Sequence, residues 1–187
     1  MSHLRISGGE HKGRKLVSPK GLEVRPTPQM AREAIFSILA AKVPGSSVLD
    51  LFSGTGSMGL EALSRGAQRV VFVEKAPLAL SALRRNVQAL RVEGAVRVMP
   101  LPVQKALDIL REEGETFDLL LADPPYKEPA WATWLGKLAW VMSQEGVAVV
   151  EVEAKGEGEF LQALPPDLQV ADRRRYGRGL FFFLVKE

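Results

Sequence analysis

The sequence predicts an α/β fold: a mostly parallel seven-stranded sheet with helices on both faces and a C-terminal antiparallel hairpin. Three observations predict it. From Ser47 onward, strand-like apolar runs alternate with runs that are apolar at helical spacing, the pattern of βαβ units. Gly54, Gly56 and Gly59 follow the first such strand and open a helix, as at a ligand-binding turn. The closing segment "LQVADRRRYGRGLFFFLVK" holds two strand-like runs around a short turn.

Each element follows from its residues. "LRISGGEHKGRKLVSP" alternates apolar and polar residues around Gly8, Gly9 and Gly13 and reads as a β-hairpin with basic residues outward. "TPQMAREAIFSILAAK" spaces Met30, Ala34, Ile35, Ile38 and Leu39 as a helix, with Thr27 placed to cap and Pro28 in the first turn. Pro44 and Gly45 close this part. The expected division is therefore an appendage over residues 1–43 and a main domain over 44–187. In the main domain "SVLDLF" precedes a helix through "MGLEALSRG" that Gly66 stops. "RVVFVE" then precedes "PLALSALRRNVQALR", and "AVRVMPL" precedes "VQKALDILREE". "FDLLLADPPY" is followed by the helix "WATWLGKLAWVM", and "GVAVVEVE" by "GEFLQAL". No internal repeat and no low-complexity linker interrupts the series.

Composition narrows the function classes. With 187 residues and 46% hydrophobic content, the chain is long enough to bury one sizeable core. It has no cysteine, which excludes disulfides, a thiol nucleophile and thiolate-held zinc. Met1 to Pro19 lacks the apolar stretch of a signal peptide, and no run is long enough to span a bilayer. The expectation is a soluble, cytoplasmic protein with no membrane contact. Asn86 is the single asparagine, a bias of hot-growing sources and equally of GC-rich genomes. Charge is uneven: residues 1–42 carry eight Lys and Arg against three acids, whereas 108–160 carry twelve acids against four bases. Arg173, Arg174, Arg175 and Arg178 surround Tyr176. Basic clusters of this kind suit a polyanion, although a merely solvated face explains either one alone equally well.

Two constellations point to chemistry. At the end of "FDLLLADPPY" the strand stops at Asp123, Pro124, Pro125 and Tyr126, because proline cannot donate to a ladder and holds its predecessor extended. A carboxylate and a phenol are thereby fixed at the carboxyl edge of a strand, where open α/β sheets bind ligands. In "VLDLFSGTGSMGLEAL", the glycines let a ligand lie against bare backbone at a helix N-terminus. Glu74 ends the next strand, 20 residues after Gly54, where an acid can hold ribose hydroxyls. A dinucleotide and S-adenosylmethionine both fit this pattern. Asp50 favours the second, since a carboxylate there suits the cationic amino group of a methionine and is a liability beside a pyrophosphate. A loop-capping role for Asp50 and a solvated strand end at Glu74 are the bland alternatives.

"LDLFSGTGSMGLEAL" with "DPPY" resembles the class I S-adenosylmethionine-dependent methyltransferases that act on an exocyclic amino group of a nucleobase. Together with "RISGGEHKGRKL", "RPTPQMAREAIFSIL" and "RRRYGRGLFFFL", it resembles more closely the bacterial RsmD-like small-subunit rRNA guanine-N2 methyltransferases, over essentially the whole chain. The resemblance implies a Rossmann-like class I methyltransferase fold and methyl transfer to N2 of one guanine in 16S rRNA, guanine 966. It implies S-adenosylmethionine as donor, S-adenosylhomocysteine as product, and no metal. Asp50, Gly54 and Gly56 would line the methionine end, Glu74 would hold the ribose, the turn Leu101 to Val103, with Pro102 and Val103, would border the adenine, and Phe52 and Lys75 would also belong to the cofactor site. Where many relatives carry Asp or Asn, Pro102 offers no side-chain contact, so backbone groups at Val103 would serve. Asp123, Pro124, Pro125 and Tyr126 would hold the target: Asp123 and the Pro124 carbonyl accept the amino hydrogens, and Tyr126 stacks on the splayed base. Arg5, Lys12, Arg14, Lys15, Arg25, Arg32, Arg173, Arg174, Arg175 and Arg178 would contact RNA phosphates, making residues 1–43 an RNA-binding appendage.

The implied partner is 16S rRNA, within the 30S subunit or an assembly intermediate, met by a monomer. The same four-residue motif also serves adenine N6 in RNA or DNA. A nicotinamide-dependent oxidoreductase shares the glycine pattern but leaves "DPPY" unexplained. A non-catalytic RNA-binding protein with a dead fold is opposed by intact Asp50, Glu74 and Asp123.

Overall fold

The computed structural model describes residues 4–19, 29–125 and 131–187. Seven strands, β1 (Ser47–Leu51), β2 (Arg69–Val73), β3 (Val96–Met99), β4 (Phe117–Ala122), β5 (Met142–Glu153), β6 (Leu168–Tyr176) and β7 (Gly179–Lys186), form one sheet. Its order is β3-β2-β1-β4-β5-β7-β6. The first five strands pair in parallel, and β7 lies antiparallel to both β5 and β6. The chain enters at β1, builds outward to β3 and then crosses back to β4 on the other side of β1. The order reverses between β1 and β4, the point at whose carboxyl ends open α/β sheets bind ligands.

Helices cover both faces, so the central strands read as nearly continuous apolar runs. On one face α1 (Gln29–Ile38), α2 (Ser57–Ser64) and α3 (Pro77–Leu90) bring Ile35, Phe36, Leu60, Leu83 and Val87 onto Val48, Phe72, Leu121, Val149 and Phe181. On the other, α4 (Val103–Glu112), α5 (Trp131–Trp134), α6 (Leu138–Val141) and α7 (Glu157–Gln162) set Leu107, Trp134, Leu138 and Phe160 against Leu49, Val73, Leu120, Val150 and Phe182. The alternation of side chains along each strand assigns every core residue to one of these two layers. Among the described residues no helix is long and apolar enough to cross a membrane.

The expected helix "WATWLGKLAWVM" is broken. A 3-10 turn, Leu135–Lys137, separates α5 from α6. Gly136 weakens the helix there by about 1 kcal/mol, and the break lets Trp131, Trp134 and Leu138 all reach the core. Trp140 instead stays 40% exposed, with the Arg111 guanidinium 4.0 Å from its ring centre. β5 begins at Met142 rather than at Gly146, with a register irregularity opposite Phe117 to Leu119.

The N-terminal segment turns back on itself as expected, with an antiparallel bridge between Arg5 and Lys15 and bonds from Ile6 N–H to Arg14 O and from Leu16 N–H to Leu4 O. Ile6, Leu16 and α1 share the core of the α2 and α3 face rather than forming one of their own. Glu61, fully buried in α2, ties this junction. It accepts bonds from Ser7 N–H (2.8 Å) and Ser7 Oγ (2.7 Å), and pairs with Arg65 at 2.8 Å and Arg32 at 3.2 Å. The Arg32 guanidinium also donates to the Arg5 carbonyl. Arg32, expected among the RNA-contacting cations, is 1% exposed, so its charge serves Glu61 instead of a phosphate.

Candidate active site

The glycine loop wraps the end of β1. Asp50 is 3% exposed, and its carboxylate accepts the Gly59 N–H at 2.9 Å, pinning the first turn of α2. Burial pushes its carboxyl up to about 7, against the relief of the Gly59 N–H and with a further push from Glu74. Phe52 takes a left-handed conformation at φ 56, unusual for a bulky residue, and its ring meets Trp134 edge-on at 5.3 Å. At Gly54, φ is 55 and nothing lies within 4 Å of the space a Cβ would take, so the backbone is bare there. Glu74 closes the loop from β2 by accepting N–H groups of Gly54, Lys75 and Ala76, each at 2.8 Å. A carboxylate has about four acceptor positions, so one remains for a ligand hydroxyl. Lys75 is exposed, and Gly56 is buried as the residue before α2.

Asn86 joins this loop to the N-terminal segment. Buried in α3, it accepts the Val17 N–H at 2.6 Å and donates to the carbonyls of Val17 and Thr55 at 3.1 and 3.0 Å. Pro102 precedes α4, whose first-turn N–H groups, beginning with Val103, have no acceptor within the helix.

β4 delivers the other half of the site. Asp123, half-buried, follows the last paired residue of β4; Pro124 is buried and Pro125 exposed. Desolvation, then the Glu151 and Asp50 charges, hold the Asp123 carboxyl well above the usual carboxylate range. Asp50 lies opposite Leu121, a residue of the α2 and α3 face, and Asp123 is two residues on. Both carboxylates therefore share the face that carries the N-terminal segment. Glu151, 6% exposed near the end of β5, joins them and was not singled out from the sequence. Its run "VVEVE" resembles any strand end, and only the β4 and β5 pairing reveals its neighbour. Tyr126 and Arg25 lie outside the described residues.

The sequence brings ten cations into view, but the fold distributes them. Lys12, Arg14 and Lys15 are exposed on the N-terminal turn, and Arg5 is half-buried. Arg174 lies opposite Phe181, on the carboxylate face, whereas Arg173 and Arg175 lie opposite Phe182 and Leu180 on the other. Arg173 is paired with Glu157 at 2.7 Å and Arg174 with Asp172 at 2.9 Å. The run that reads as one patch is thus split by strand alternation. Among the described residues no group of three or more His, Asp or Glu is placed to hold a metal ion.

Known proteins match this arrangement. The model of the family described as Conserved hypothetical protein 95 matches residues 4–185. YlbH of Bacillus subtilis, provisionally named an rRNA methyltransferase, is 30% identical over 93% of this chain and 94% of its own length. Ribosomal RNA small subunit methyltransferase D of Escherichia coli is 35% identical over 66% of this chain, a match spanning 61% of that enzyme. The solved structure of yhhF from Escherichia coli, 26% identical, superposes with a TM-score of 0.83 and covers 100% of this chain and 99% of its own. With its seven-stranded sheet and its loop at the β1 end, the chain has the Rossmann-like class I methyltransferase fold and belongs to the Conserved hypothetical protein 95 family, the RsmD-like rRNA methyltransferases.

Proposed function

We propose that this protein transfers a methyl group from S-adenosylmethionine to the exocyclic N2 of one guanine in 16S rRNA. The observation that carries the reading is the pairing of two parts across the β1 and β4 switch point. A bare glycine loop with buried Asp50 stands on one side, and an acceptor pair, Asp123 and the Pro124 carbonyl, on the other. The family supports RNA as the acceptor class.

The loop suits a cationic nucleoside ligand. Asp50 offers a buried carboxylate for an α-ammonium group, the free position on Glu74 takes a ribose hydroxyl, and the α4 N-terminus at Val103 offers N–H groups to an adenine. When bound, S-adenosylmethionine supplies an electrophilic methyl carbon: the N2 lone pair forms the N–C bond as the C–S bond breaks, leaving S-adenosylhomocysteine and one proton. Asp123 and the Pro124 carbonyl accept the two amino hydrogens. Held in that way, the N2 lone pair is turned out of the ring plane toward the methyl group. The raised proton affinity of Asp123 also suits it to take the released proton. Tyr126 and Phe52 are proposed to bound the base and the methionine, and Lys75 to flank the ribose.

The pH dependence follows from Asp50. Its folded value, about 7, exceeds the ordinary 3.8, so ligand-free protein holds an extra proton across that window and loses stability as pH rises through it. An ammonium ligand needs the ionised form. Affinity for S-adenosylmethionine is expected to rise roughly tenfold per pH unit below about 7 and to level off above it. Calorimetric titration at several pH values checks this, and Asp50→Asn should flatten the profile.

RNA phosphates are proposed to meet Arg5, Lys12, Arg14, Lys15, Arg174 and Arg178. Lys12→Ala or Arg178→Ala is expected to weaken RNA binding without changing the methylated base, and to lower the slope of log K against log salt by about one. Binding measured from low to moderate salt decides it. The rRNA is proposed to be met by a monomer in the bacterial cytoplasm, already folded in the 30S subunit or an assembly intermediate. The test of the whole reading is transfer of labelled methyl to unmodified small subunits, naked rRNA and DNA in parallel, followed by digestion to nucleosides. Label in N2-methylguanosine from the particle supports it; label in N6-methyladenine overturns the target.

A further inference from the structure

Glu151 is a buried acid to which the transfer just described gives no task. The β4 and β5 register pairs Ala122 with Val150, which brings Asp123 and Glu151 level at the carboxyl edge, on strands about 4.8 Å apart. Glu151 also lies directly opposite Phe181 of β7, and directly opposed residues project to the same side of a sheet. Phe181 belongs to the α2 and α3 face, so Glu151 lies on the face of Asp50 and Asp123. Its position is specified from a third element. A Cβ at Gly179 would stand 2.8 Å from Glu151 Oε1, so the missing side chain at 179 is what makes room for the carboxylate. Tyr176, opposite Gly179, borders the same place with its ring against Phe181. The charge of Glu151 is felt at Asp123, second only to burial.

We propose that Glu151 is the residue that selects guanine: its carboxylate accepts the N1–H of the target base while Asp123 and Pro124 hold the adjacent N2 amine. This rests on the guanine-N2 reading and extends it to base specificity. Guanine presents N1–H and an exocyclic amine side by side as donors, which a row of carboxylates can satisfy. Adenine presents N1 as an acceptor beside its amine. A carboxylate facing that lone pair repels it and leaves a buried charge unmatched, so the "DPPY" acceptors alone do not choose between the bases, whereas Glu151 does.

The experiment uses the protein and small subunits reconstituted from rRNA carrying either guanine or 2-aminopurine at the methylated position. 2-Aminopurine keeps the 2-amino group and lacks the N1–H. Wild-type protein is expected to prefer guanine by about a hundredfold in kcat/KM, the range for one such base contact. In Glu151→Gln the side-chain amide can turn its NH2 toward N1 of 2-aminopurine, so the preference should fall to within about threefold. Unchanged affinity of that variant for S-adenosylmethionine shows that it folds. A variant that keeps the wild-type ratio, or loses both substrates equally, overturns the proposal. So does a wild-type ratio near one with label still on N2, an outcome that leaves the guanine-N2 reading standing. Wild-type label on an adenine N6 overturns both.

Discussion

Asp123→Ala is expected to lose about 10³-fold in kcat for methyl transfer while still binding S-adenosylmethionine. The loss follows from the role proposed for Asp123 toward the acceptor. Without it one amino hydrogen has no acceptor in the site, and the N2 lone pair stays delocalised into the ring. Donor binding is expected to survive because the proposed contacts to the cofactor come from the ends of β1 and β2 and the start of α4. The same variant should unfold at a higher temperature at pH 8, because a carboxylate held well above its ordinary range costs stability once pH favours its charge. Asp123→Asn separates two roles. An amide oxygen still accepts a hydrogen bond but takes no proton, so a loss of only about tenfold means that orientation dominates, whereas a loss equal to that of Ala means that proton acceptance does. Single-turnover rates with saturating donor measure both. Wild-type rates in Asp123→Ala would remove this residue from the chemistry.

Glu61→Ala is expected to destabilise the fold by about 3–5 kcal/mol, the usual cost of leaving a buried charge without its partner. Arg32 is 1% exposed and Arg65 is half-buried, and both lose their carboxylate, as do the Ser7 N–H and hydroxyl. For a chain of this size the melting temperature should drop by about 10 °C. Replacing Arg32 and Glu61 together with Met and Leu should recover part of it, since no charge is then left at the fully buried Arg32 position, while Arg65 and Ser7 still lack the Glu61 carboxylate. Thermal unfolding of both variants decides the matter, and a single variant within about 1 kcal/mol of wild type would contradict the account. Because Glu61 joins the N-terminal turn and α1 to the helix that follows the glycine loop, the loss should also loosen the proposed RNA-contacting segment.

Much of the fold was legible because its signals are local. Glycines after a strand, prolines ending β4 and the period of each apolar run depend on neighbours in sequence, and the five βα repeats and the final hairpin follow from them. The parts that were not legible depend on pairing. Arg32 carries the sequence signature of a surface cation on an amphipathic helix; only the approach of Glu61, 29 residues away, makes it a core residue. Arg173, Arg174 and Arg175 look like one cluster until strand alternation sends Arg174 to one face and its neighbours to the other. Asn86, conspicuous only as the single asparagine, proves to bridge Val17 and Thr55. Glu151 becomes a candidate site residue only through the β4 and β5 register. Gly136, visible in the sequence, marks the break in the tryptophan helix, but the helix spacing around it gave the stronger signal.

The measurement that tests the central claim most directly is a nucleoside map of small-subunit rRNA by mass spectrometry, from cells lacking this gene and complemented with wild type or Asp123→Ala. The account predicts that one N2-methylguanosine disappears with the gene, returns with the wild-type copy and stays absent with the variant. An unchanged set of N2-methylguanosines in the deletion, or full restoration by Asp123→Ala, would contradict it.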